Sequence, residues 1–140
     1  MKTIKLFKQE TDHTCACAIA KMLLHSKGID MSEIDIEKKM GTNQTIGTSP
    51  SQLMDFLFEY GFKPELKDDS TIAELTESIG TKLLLFKLHG IFPHVAIVDS
   101  FSSFGVKLID PATGHTFLSF HKLLKHWEAD GIKKGVIILK

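Results

Sequence analysis

Apolar residues follow two patterns along the chain. Up to Gly80 they recur at helical spacing, and beyond it they come in short continuous runs. Residues 13–27 read as a helix: Ala16, Ala18, Ala20, Met22, Leu23 and Leu24 are good helix formers, and Gly28 supplies a stop. Ser32 followed by Glu33 to Met40 predicts a second, shorter helix. Asn43 to Ser49 is a polar loop. Ser49 then suits an N-cap, with Pro50 at the first helical position. Leu53, Phe56, Leu57 and Tyr60 would line the core-facing side of that third helix, and Gly61 would end it. A fourth helix is expected over Ile72 to Ile79, after the polar turn Asp68-Asp69-Ser70.

The second half predicts strands at Lys82–Leu88, His94–Asp99 and Gly105–Asp110. The turn Asp110-Pro111-Ala112-Thr113-Gly114 follows, and His115 to Leu118 would pair back as a fourth strand. Phe120 to Trp127 returns to helix, with Leu123, Leu124 and Trp127 on one side, and Gly135 to Leu139 is a closing strand. Helices first and a mostly antiparallel sheet afterwards predict an α+β fold rather than alternating α/β.

Composition narrows the function classes. At 140 residues and 43% hydrophobic, residues 1–140 suit a single domain with a core of its own. The formal net charge is zero, which argues against a nucleic-acid partner. Every basic residue other than histidine is Lys, so bidentate Arg clamps are absent. No apolar run is long enough to span a membrane, and the start turns polar by Lys8, too soon for a signal peptide. The two cysteines, Cys15 and Cys17, are badly spaced for a disulfide and too few for a structural zinc site. The expectation is therefore a protein without metal or cofactor. A cytoplasmic location follows from the missing signal peptide and from the reduced thiols such a chain would keep.

Four residues stand out for chemistry. Cys15 lies near the start of the first helix, where the dipole and the unpaired N–H groups favour a thiolate. The plain alternative is a small buried hydrophobe, and Cys17, about 200° further round the helix, is read that way. Of the seven histidines, His13, His25, His115, His121 and His126 sit in polar or mixed contexts, and His89 ends a strand before Gly90. His94 differs because it opens the apolar run His94-Val95-Ala96-Ile97-Val98 and would stand at a sheet edge facing a cleft. Asp110 is either an ordinary turn carboxylate before proline or the group that orients His94, if the two strands form a hairpin. Gln9, just ahead of the first helix, is either solvated or a side-chain donor to a tetrahedral oxyanion. Each residue alone is weak. Together, in the chain order Gln, Cys, His, Asp, they form a thiol–imidazole pair with an orienter and an oxyanion donor, the papain-like arrangement.

The chain also resembles the double-glycine leader peptidase domain, the papain-like cysteine peptidase at the N-terminus of bacteriocin-exporting ABC transporters. The resemblance is carried by Gln9-x5-Cys15 with Ala18 and Met22, then by Gly47-Thr48-Ser49, Leu53 and Tyr60-Gly61-Phe62. It continues through His94-Val95-Ala96-Ile97-Val98 and Asp110-Pro111-Ala112-x-Gly114 to Phe120, Trp127 and Gly135, so it spans essentially the whole chain. It implies a papain-like fold with N-terminal helices packed on a C-terminal antiparallel sheet. It also implies Cys15 as nucleophile, His94 as general base, Asp110 as orienting acid and Gln9 as oxyanion donor. Ala16 stands where the family has Gly, Thr14 where it has an acidic residue, and Ala20 where it has Leu. The implied substrate is a precursor peptide whose leader ends in a Gly-Gly-type pair, cut after that pair through a thioester, with an ABC exporter as the implied context. No transporter follows within these residues, so an excised exporter domain and a stand-alone peptidase both stay open. Two other readings use the same residues: a peptidase-like module that binds leader peptides without cleaving them, and a thiol hydrolase acting on other amides or serving as an effector.

Overall fold

The computed structural model describes residues 4–11, 13–42 and 47–140. The first helix, α1 (Cys15–Ser26), carries small and apolar residues on nearly every side, and Ala16 to Ala20 and Met22 to Leu24 are all buried. A helix apolar all round belongs in the centre of a fold. Helices α2 (Glu33–Met40) and α3 (Pro50–Glu59) pack against it. Ser32 caps α2 by accepting the Asp35 N–H. Ser49 and Gln52 form a reciprocal capping box at the start of α3, and Pro50 opens that helix. Leu53, Phe56 and Leu57 are buried as expected, and Gly61 closes the helix end at φ +89°.

The sheet has six antiparallel strands. They are β1 (Pro64–Lys67), β2 (Thr81–Leu88), β3 (Phe92–Phe101), β4 (Gly105–Asp110), β5 (Gly114–Ser119) and β8 (Val136–Leu139), in the order β1-β8-β2-β3-β4-β5. A separate hairpin pairs β6 (Glu128–Ala129) with β7 (Ile132–Lys133). The sheet is covered on both faces. Leu83, Leu85, Val95, Ile97, Ile109, Ile137 and Leu139 join the cluster around α1 and α3. Their neighbours Leu84, Phe86, Ala96, Leu108, Val136 and Ile138 join a second cluster with Leu75 of α4 (Ile72–Glu77), Leu123 of α5 (Phe120–His126) and Trp127. This explains why the strands read as continuous apolar runs rather than alternating ones: every position is wanted by one face or the other.

The N-terminal helices pack on the sheet as expected, with α1 and α3 on one face and α4 on the other, where α5 joins it. Several other expectations need adjustment. Leu124, expected on the buried side of α5, is 52% exposed. Helix α4 stops at Glu77, leaving Ile79 outside it and 91% exposed. Strand β3 starts at Phe92, so His94 is its third residue and not its first. The polar stretch of β1 gave no strand signal, and it forms only because Val136–Leu139 is there to pair with it. Of the polar loop from Asn43 to Ser49, residues 43–46 lie outside the described residues.

The ladder register sets up the site. Strand β4 pairs with β3 from Ile97↔Ile109 outward, and continuing that register puts Asp110 level with Ala96. His94 therefore lies just past the end of β4, on a part of β3 whose ladder partner is β2, opposite Phe86. Beyond Asp110 the chain turns tightly into β5, with Asp110 facing Gly114.

The start of β4 is fixed by close approach. A Cβ on Gly105 would meet the Leu118 carbonyl oxygen, come within 2.6 Å of the Phe117 ring and lie 2.8 Å from the Ser119 Cα. Gly105→Ala is expected to lower stability by about 1–3 kcal/mol, the usual cost of overpacking a tight contact. Urea denaturation checks this, and an unchanged midpoint would mean that the β4–β5 ladder opens there without cost.

Candidate active site

Cys15 is the first residue of α1, and Thr14 is its N-cap. The thiol therefore sits at the positive end of a buried helix, and it is only partly covered. Helix α1 packs against β3, which brings this end of the helix to His94. The His94 ring is nearly buried at 6% exposure, and its Nε2 lies 2.7 Å from Asp110 Oδ1. That contact leaves Nδ1 as the ring nitrogen for the sulfur, and Cys15 is close enough to be among the groups that raise the His94 pKa. The Phe86 ring meets the imidazole edge-on, with centroids 5.5 Å apart, and forms one wall of its slot.

Asp110 is 1% exposed. Its Oδ1 accepts three hydrogen bonds: from His94, from the Ala112 N–H at 2.7 Å and from the Thr113 N–H at 3.2 Å. The oxygen that builds the turn before Pro111 is also the one bonded to the imidazole. Burial alone would raise the carboxyl's pKa, but His94 and the two backbone donors bring it below its ordinary value. For His94 the largest influence, burial, pushes the pKa down. Hydrogen bonds to Asp110 and Cys15, and the charges behind them, outweigh it and bring the imidazole up to about 9. A histidine beside an ionised carboxylate is favoured as the cation.

Gln9 belongs to the same corner. Its backbone N–H donates to the Pro111 carbonyl at 2.8 Å, tying it to the turn that follows Asp110. Its side-chain Nε2 donates to the Thr11 carbonyl at 2.8 Å, while Oε1 is buried without a partner among the described residues. Cys17 faces elsewhere. It is fully buried, and its sulfur lies 3.1 Å from Thr42 Oγ1, which in turn contacts Thr48 Oγ1 at 2.6 Å. Burial raises its pKa, and that outweighs the two threonine contacts. So the structure brings Cys15, His94, Asp110 and Gln9 together and sets Cys17 apart.

Other histidines take ordinary roles: His13 pairs with Glu37, and His25 with Asp30. No group of three or more metal-binding side chains occurs among the described residues. None of the described helices is long and apolar enough to cross a membrane. What the sequence did not reveal is the support behind Cys15. Glu33, a buried carboxylate on α2, accepts hydrogen bonds from Glu10 and Thr14. No local signal marks it, since its partners lie 23 and 19 residues away in the chain.

Raised above its unfolded value near 6.5, the His94 pKa makes a signed prediction. Its paired, protonated form stabilises the fold fully below that value, and the contribution is lost as pH rises through about 9. The melting temperature should therefore fall from neutral to alkaline pH in the wild type, and this part of the fall should vanish in His94→Ala. Parallel curves for the two proteins would remove the ion pair from the account.

The profile of the Peptidase C39 family matches residues 3–132. Among solved structures, a double glycine motif protease from an AMS/PCAT transporter, in complex with the leader peptide, superposes with a TM-score of 0.78 at 15% identity, covering 99% of this chain and 91% of that one. The peptidase domain of Streptococcus ComA, a bi-functional ABC transporter involved in a quorum-sensing pathway, gives 0.78 at 17% identity, covering 98% of each chain. A C39-like peptidase from Bacillus anthracis gives 0.75 at 13% identity, covering 99% and 95%. At such identities these likenesses establish the fold, which is α+β and papain-like. A search of curated proteins gives no match.

Proposed function

The chain belongs to the Peptidase C39 family and is a cysteine peptidase, and we propose that Cys15, His94, Asp110 and Gln9 cleave a precursor peptide after a Gly-Gly-type pair. The observation that carries this reading is the 2.7 Å bond from a buried His94 to Asp110, in an imidazole whose pKa is raised by a neighbouring thiol at the first position of α1.

The chemistry runs in two halves. Cys15 Sγ, as thiolate, forms a bond to the scissile carbonyl carbon, and the carbonyl π electrons move onto oxygen. The Cys15 backbone N–H and a Gln9 amide hydrogen receive that oxyanion. Thr11 holds one Nε2 hydrogen, and the second is the donor. When the C–N bond breaks, the His94 imidazolium gives its proton to the leaving amine, and a thioester on Cys15 remains. A water molecule then gives a proton to neutral His94 and adds to the thioester carbonyl. Collapse expels the Cys15 thiolate, which restores the ion pair with His94. Asp110 stays ionised throughout and keeps the ring aimed at the sulfur.

The substrate class is carried by kinship. Leader peptide is bound in the structure of the double-glycine protease, that protease comes from a transporter, and ComA is an ABC transporter. We extend these to this chain as a leader-bearing peptide for substrate and an ABC exporter for partner, and we place its action in the cytoplasm. A pair of glycines suits a thiol in a narrow cleft, where a side chain would hold the backbone away from the sulfur.

A synthetic precursor peptide with an internal Gly-Gly, digested and mapped by mass spectrometry, tests the reading. Cleavage after the pair is expected in the wild type and should be lost in Cys15→Ala. His94→Ala should lose activity by about four orders of magnitude, with Asp110→Asn losing less. Iodoacetamide should label Cys15 well before the buried Cys17. Binding of the peptide without cleavage, equal in wild type and Cys15→Ala, would make the chain a recognition module instead.

A further inference from the structure

The stretch from Gln9 to Cys15 is held from outside α1, and much of that hold comes from one carboxylate of α2. Glu33, the first residue of α2, is 2% exposed. Its Oε2 accepts the Glu10 N–H at 2.8 Å and faces the Thr14 hydroxyl at 3.1 Å. Its Oε1 is buried with no partner among the described residues. Thr14 is 1% exposed and is the N-cap of α1, where a threonine hydroxyl would normally accept an N–H of the first turn. Here it makes no such bond. It accepts instead from the Thr11 N–H at 3.2 Å and the Thr11 hydroxyl at 3.0 Å, and its own hydrogen lies between the Thr11 carbonyl and Glu33. Further along α2, Glu37 holds His13 at 3.0 Å.

Burying a carboxylate costs free energy unless hydrogen bonds or a paired charge offset the lost hydration. Desolvation pushes the Glu33 carboxyl upward, and the Glu10 and Thr14 donors only partly offset it. The two things it holds flank the site. Glu10 directly follows Gln9, and Thr14 directly precedes Cys15. The Pro111 carbonyl fixes the Gln9 backbone from the opposite side.

We infer that Glu33 is a positioning residue for the oxyanion site: it holds Glu10 and Thr14 so that the Gln9 amide and the Cys15 backbone N–H converge on the same point. By drawing the Thr14 hydroxyl toward α2, it keeps that hydroxyl off the first-turn N–H groups beside the reacting carbonyl. Both bonds go to one oxygen, so the role is that of an acceptor of fixed place and not that of a charge. This role rests on the catalytic reading above.

Two reactions of the same sulfur separate the role from general stability. Alkylation by iodoacetamide needs the Cys15–His94 pair but forms no oxyanion, whereas hydrolysis of the Gly-Gly peptide needs both. Glu33→Ala is expected to lower kcat about tenfold or more, short of the ~10²–10³ for outright loss of an oxyanion donor, with KM close to wild type. Its rate of Cys15 alkylation should stay within about twofold of wild type. Glu33→Gln retains an oxygen acceptor and should recover most of kcat. Turnover by Glu33→Ala at the wild-type rate would overturn the inference. So would parallel loss of alkylation and turnover, or a Glu33→Gln no better than the alanine variant. Should Glu33→Ala fail to fold, Thr14→Val against Thr14→Ser makes the same comparison, with loss expected only for valine. A wild type that neither cleaves the peptide nor labels at Cys15 would instead overturn the catalytic reading, and this role with it.

Discussion

Helix α1 is buried against the sheet, α2 and α3 along most of its length, and its part-exposed residues are Cys15, Lys21, His25 and Ser26. The place of the thiol follows from that constraint. A helix so largely enclosed has little choice of depth or rotation, so its first residue is delivered to one place. That place is the corner where β4 has ended and β3 has not. The sulfur does not have to be steered there by polar contacts of its own. It arrives as the end of a rigid body whose position is set by Ile19, Leu23 and Leu24 deep in the core.

The partner side is built on the opposite plan. His94 and Asp110 are polar groups in a dry corner, and the bond between them offsets part of the cost of burial, while Asp110 Oδ2 is buried with no partner among the described residues. Asp110 Oδ1 binds the imidazole and two backbone N–H groups of its own turn, so the imidazole's support is part of the chain's path and not an independent side chain. Four other helix starts use conventional side-chain caps, at Ser32, Ser49, Thr71 and Ser119. Among the described helices Thr14 alone departs from the habit, and it does so at the helix that carries the thiol.

The legible parts of the sequence were those in which local chemistry and tertiary position agree. Ser49-Pro50 announces a helix start wherever it sits, and Gly105–Asp110 is apolar enough to be a buried strand in most contexts. Cys15, His94 and Asp110 could be picked out because each interrupts an apolar pattern at its end. The features that stayed hidden depend on partners far off in the chain. Pro64–Lys67 is polar and becomes a strand only through Val136–Leu139. Leu124 follows the helical pattern yet stays outside, because the short α5 turns Phe120 and Leu123 toward the second cluster and leaves Leu124 on its outer side. The support of Glu33 for Glu10 and Thr14 joins two helices and has no counterpart in spacing or composition.

The placing of His94 beside Cys15 has a consequence in time. Chain synthesis delivers the cysteine early, while the imidazole and its carboxylate come from the second half. Contacts of such long sequence separation form late in folding, after much of the loop-closure entropy has been overcome. Until α1, β3 and β4 have come together Cys15 lacks its imidazole neighbour, so assembly of this corner reports on the docking of the first helix against the sheet.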